Sequence, residues 1–168
     1  LNRRENSSGR FITSVDIFFS EKDENLPIRV EIKGTGPEGG GAGHGVPGQK
    51  LLPFGRSTLE PSNINISDDA SVATNFKFPS PVYVKNGTEY CVWLGTSVPT
   101  YKVWIARMGE TEIGGSRTIS EQPHMGVLFK GHNDRTWAPS MTEDLKFTMY
   151  CANFDVSNPG TVTLNNDI

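Results

Sequence analysis

An all-β fold, an antiparallel β-sandwich of jelly-roll type with about nine or ten strands, is what the sequence predicts, from three observations. Short runs rich in β-branched and aromatic residues alternate with a period of two. Turn-forming residues recur between them, with 18 glycines and 11 prolines among 168 residues. No stretch carries apolar residues at helical spacing.

The totals narrow the function classes. A chain of 168 residues supports one hydrophobic core, burying roughly two thirds of the unfolded surface. Sixteen basic against nineteen acidic residues give a net charge of -3, and no basic cluster exceeds Arg3-Arg4, so nucleic acid is not an expected partner. No apolar run approaches the ~20 residues of a membrane span, and no segment resembles a secretory signal, so the chain reads as soluble. The start at Leu1 and a β-like run from Thr161 to Leu164 at the very end read as a slice of a longer polypeptide, with processing of a precursor as the alternative. Cys91 and Cys151 both fall inside expected strands. One disulfide or two free thiols fits that placement, and free thiols are the preferred reading because strand cysteines serve as small apolar residues.

Residues 1–10 are polar and unpatterned, a lead-in to a module spanning 11–154. Its first strand sets Phe11, Val15, Ile17 and Phe19 on one face against Ser14 and Asp16, with Phe18 as an exception. EKDENL reads as a charged hairpin loop. In PIRVEIK, the cleanest alternation, Ile28, Val30 and Ile32 turn inward while Arg29, Glu31 and Lys33 are expected in water. Residues 34–55 crowd glycines without periodicity and read as a mobile excursion or a surface loop adapted to a partner. Strand character returns at Lys50 to Phe54 and Asn63 to Ile66, and SDDAS reads as a turn, Asp68 and Asp69 being too few for calcium.

Ala73 to Phe78 and Pro81 to Val84 form two strand pieces broken by prolines, which belong at a sheet edge or a crossing between sheets. Lys85-Asn86-Gly87 is a tight turn into Glu89 to Leu94. That run and Tyr101 to Met108, joined by GTSVPT, are expected to pair as the antiparallel centre of a sheet with both faces covered. After a polar connection, Met125 to Lys130 and Leu145 to Cys151 supply the last strands, and residues 155–168 read as a linker to a following segment.

The residues offer little chemistry. His44, His124 and His132 are scattered over separate segments, no G-x-S-x-G or H-E-x-x-H motif is present, and GGSR lacks the strand-to-helix context of a phosphate loop. No catalytic residue, metal ligand or cofactor is expected. Glu110 and Glu112 can be drawn as an acid-base pair but read as a solvated loop. The aromatic residues are the more informative set, since rings exposed on a sheet stack on sugar faces. Trp93 and Trp104 read as packing residues, Tyr150 lies in a strand, and Trp137, Tyr101 and Tyr83 are the candidate ligand-binding residues for a host glycan.

The order of these signals is itself familiar. From ITSVDIFFSEKDENLPIRVEI through SPVYVKNGTEY and VWIARMGE to the final Trp-x-Pro and DLKFTMY, the chain resembles a module of tailed-bacteriophage structural proteins, especially baseplate and tail-fibre proteins of cyanophage-like myoviruses. A wider resemblance, in the strand after GT-x-Y and the closing DL-x-F strand, is to jelly-roll modules of the carbohydrate-binding kind. The first resemblance implies a non-enzymatic virion protein, assembled in the host cytoplasm, whose partners are other virion subunits, including copies of itself. A reducing cytoplasm implies free thiols at Cys91 and Cys151.

Overall fold

Two facing antiparallel sheets, built around β1 and β2, enclose the core. The structure, a computed structural model, describes residues 9–38, 45–121, 126–131, 136–155, 157–158, 160–161 and 163. In chain order the strands are β1 (Gly9–Glu21), β2 (Ile28–Glu38), β3 (Gly45–Leu59), β4 (Ala73–Lys85), β5 (Tyr90–Thr96), β6 (Lys102–Val103), β7 (Ile105–Arg107), β8 (Leu128–Gly131), β9 (Trp137–Ser140), β10 (Glu143–Leu145) and β11 (Phe147–Cys151). One sheet runs β11-β1-β4, with β6 continuing the pairing beyond β11, and the other runs β3-β2-β5. These orders establish an antiparallel sandwich and not the jelly-roll winding.

Alternation explains the core directly. Val15, Ile17 and Phe19 of β1 and Phe76 and Val82 of β4 meet Ile28, Val30 and Ile32 of β2, each almost fully buried. Each such side chain contributes about 1.5–3 kcal/mol over an exposed one. Phe11 departs from the expected set, being 37% exposed. A register shift between Ile12 and Ser14, where β4 loops out around its prolines, puts Ile12 in the core and turns Phe11 outward. Thus β4 is one bulged strand rather than two pieces.

Several expected pairings are replaced. β5 does not pair with β6 or β7; it pairs with β2 from Ile28↔Thr96 to Gly34↔Tyr90, while β6 joins β1 and β7 joins β10. The GTSVPT connector therefore crosses between sheets. EKDENL makes the same crossing from β1 to β2 instead of closing a hairpin. The two crossings are tied together: Asp23 Oδ1 accepts from the Asn25 and Leu26 N–H groups, Thr100 donates to Asp23 Oδ2 at 2.6 Å, and Tyr101 donates its hydroxyl to the Leu26 carbonyl at 2.6 Å. Alternation identifies a strand, but its partner depends on such distant contacts.

The glycine-rich segment is mostly strand. β2 and β3 pair through it with repeated register shifts, and a side chain at Gly48 would come within 2.5 Å of the Gly34 carbonyl. Here glycine serves close backbone approach rather than an excursion; residues 39–44 lie outside the described residues. Asn63 to Ile66 is also not a strand: Pro61–Asn63 is a 3-10 turn and Ile66 makes one parallel bridge to Phe19.

Glu31 and Lys33, expected in water, are buried on the outer face of β2. Trp93 of β5 lies beside them, its ring folded over Gly95, and is buried on this outer face rather than in the core. Gly9 and Arg10, read as part of the lead-in, belong to β1. Residues 1–8 and most of 156–168, including half of the Thr161 to Leu164 run, lie outside the described residues. Among the described residues no helix is long and apolar enough to cross a membrane.

Candidate functional site

β3 lies against β4 on one side of the sandwich, which leaves β5 and β11 as the edges of the other. Between those edges is an apolar slot of about 230 Å³. Ile12, Val84 and Met149 line it from one sheet, and Ile32, Tyr90, Cys91 and Val92 from the other. A small-molecule pocket measures roughly 300–1,000 Å³, so this slot suits one or two inserted side chains. Its rim is apolar as well: Phe147 and Met149 point from β11 toward the inner face, opposite Ile17 and Val15, yet are 39% and 37% exposed.

The slot residues come from five separated stretches of sequence, and sequence reasoning missed the site. Alternation gives the inward face of β2, and of β1 apart from Phe11. It does not say that β11 and β5 end their sheets on the same side. Cys91 and Cys151 are free thiols, as expected; burial raises the Cys91 pKa, which keeps that thiol protonated, and Cys151 is exposed.

The three glycan candidates lie in different parts of the fold. Tyr83 is 42% exposed, and its ring lies over Gly9, where a side chain would come within 2.6 Å of the ring. Phe11 packs on it at 5.1 Å, and Phe154 meets Phe11 edge-on at 5.2 Å, so Tyr83 belongs to an exposed aromatic cluster. Tyr101 is instead a packing residue against Phe19, its hydroxyl occupied by Leu26, and burial raises its pKa. Trp137 is half-buried on β9, packed over Gly131 across the β8-β9 pair.

The remaining polar residues serve the fold. Trp104 donates its indole N–H to the Ser67 carbonyl, and Tyr150 donates to Asp16, which also accepts from Asn75. Glu110 and Glu112 are held apart in separate exposed ion pairs, with Arg107 and Arg117. Asp69 accepts from the Ser71 N–H in the expected turn. His44, His124 and His132 lie outside the described residues, and among the described residues no group of three metal-ligating side chains forms.

Glu143 organises the strands beside the sandwich. Lys130 of β8, Arg107 of β7 and Ser140 of β9 all bind its carboxylate, Arg107 at 2.7 Å and Ser140 at 3.0 Å. The hydrogen bond from Lys130 first, then those from Arg107 and Ser140, lower its pKa to about 2.

Comparison of the chain with family models, curated proteins and solved structures finds no match.

Proposed function

We propose that the chain is a non-catalytic assembly module whose docking site is the open side between β5 and β11. The observation that carries this reading is the apolar slot flanked by the exposed Phe147 and Met149 on an edge strand. An extended segment of a neighbouring subunit adds main-chain hydrogen bonds along β11 and inserts an apolar side chain into the slot, as in strand-addition complexes. A phage tail or baseplate is the setting to which the sequence resemblance points.

The test is co-assembly of the chain, wild type or Met149→Lys, with the neighbouring tail proteins, followed by sedimentation. Loss of the complex in a variant with unchanged circular dichroism is the expected result. Undiminished assembly of Met149→Lys would remove the slot as the docking site.

Glycan recognition is a second reading, favoured by the half-exposed ring of Tyr83 against Gly9 with Phe11 beside it. It is centred on Tyr83 rather than on Trp137 or Tyr101. Absence of a saturable response to host polysaccharide would exclude it, and a response that survives Tyr83→Ala would remove Tyr83 as its site.

A further inference from the structure

The outer face of β2 gathers three cations around one carboxylate. Glu31 Oε1 is 2.6 Å from Arg56 Nε and 3.4 Å from Arg29 Nε, and its Oε2 is 2.9 Å from Lys33 Nζ. The local sum is +2, on a chain whose net charge is -3. One cation suffices to compensate one buried carboxylate, and further cations at the same oxygens repel one another. Compensation of Glu31 therefore does not account for both arginines.

Lys33 is fully engaged: its side chain is 7% exposed, held by Glu31 and by the Trp93 ring, whose centroid is 4.0 Å from Nζ. The arginines differ. Their side chains are 45% and 55% exposed, and each meets Glu31 through Nε. Among the described residues, no acceptor pairs with the terminal nitrogens of either guanidinium. The two Nε atoms converge on the same carboxylate oxygen from neighbouring strands, which makes the two guanidinium groups neighbours at the surface.

The arrangement is held in advance. Trp93 lies over Gly95, and its ring centroid is 5.0 Å from the Arg29 guanidinium. Stacking on an aromatic face restricts a guanidinium that would otherwise sample many rotamers. Two residues before Arg56, Phe54 stands 60% exposed with a backbone φ of 60°, which is uncommon for a bulky residue and recurs at ligand-contacting positions.

We propose that Arg29 and Arg56 form an oxyanion-binding site, taking a carboxylate, sulfate or phosphate group in bidentate hydrogen bonds from the two forks. Planar forks match such groups and have no comparable geometry to offer a halide. The site is on the outer face of the β3-β2-β5 sheet and is independent of the slot.

The test is an NMR titration of the full chain, following arginine Nε–H and tryptophan indole signals. Sodium sulfate, phosphate and acetate are added in separate arms against sodium chloride at matched ionic strength. The expected result is saturable shifts at Arg29, Arg56 and Trp93 in at least one oxyanion arm, at least tenfold tighter than with chloride, and the responding arm names the group. Arg29→Gln, which removes the longer of the two contacts, weakens binding about tenfold, and Arg29→Gln/Arg56→Gln abolishes it. Equal responses to chloride, no saturation in any arm, or undiminished binding in folded Arg29→Gln would overturn the proposal.

Discussion

Glu31 has two carboxylate oxygens to share among Lys33, Arg56 and Arg29, and the residues around it define the outer face of β2. Burial pushes its pKa up, but the hydrogen bonds and charges of Lys33 and Arg56 outweigh that and hold it below the ordinary range. Its folded pKa is depressed, so its stabilisation is complete above the ordinary glutamate range and is lost as pH falls through the lowered value. Glu31→Ala strands Lys33 without an anion. Losing one partner of a buried pair costs about 3–5 kcal/mol, and solvent screening at the exposed arginines places this variant near the lower end. Urea unfolding at neutral pH measures it. Gly95→Ala tests the neighbouring contact, because its methyl group would come within 1.8 Å of the Trp93 ring. Displacing Trp93 is expected to cost about 1–3 kcal/mol, with a change in tryptophan fluorescence before unfolding. None of this is legible in PIRVEIK. Alternation assigns Glu31 and Lys33 to water because it cannot see a tryptophan some sixty positions away folding over a glycine.

β7, β8, β9 and β10 depend on Glu143 more than on a core of their own, since their residues, Glu143 apart, are half-buried or exposed. Its folded pKa of about 2 lies below the ordinary 4.5. The ion-pair contribution is therefore present above 4.5 and is lost as pH falls toward 2. Amide exchange across that window is expected to open β7 to β10 while β1 and β2 stay protected. Simultaneous opening of all the strands would show that Glu143 does not hold these elements separately. At this scale the sequence locates the core strands, misses much of β3 in the glycine-rich segment and assigns partners poorly. β1 and β2 follow from their alternation, whereas β5 and β6 are separated because Asp23, Thr100 and Tyr101 tie two crossings together between the sheets.

Over the whole molecule, the sandwich is open on one side and closed on the other, and the legible and illegible parts divide accordingly. The fold class is a local property repeated many times, so turns and alternation reveal it. The slot depends on which strands end each sheet, and Ile12, Ile32, Val84, Val92 and Met149 become neighbours only after every pairing is made. Tyr83 could be picked out from sequence as an aromatic residue; its placement against Gly9 could not. The pairing of β1 with β11 also has a mechanical consequence. Ile12 is opposite Cys151, and the Ala152 N–H reaches the Phe11 carbonyl, so the start of the first strand and the end of the last leave from the same pole. Tension applied through residues 9 and 151 peels β11 away one bonded pair at a time instead of loading all the pairs together. Pulled from that pole, the module yields like a zip fastener, and its resistance to stretching is set by the first few rungs rather than by the stability of the core.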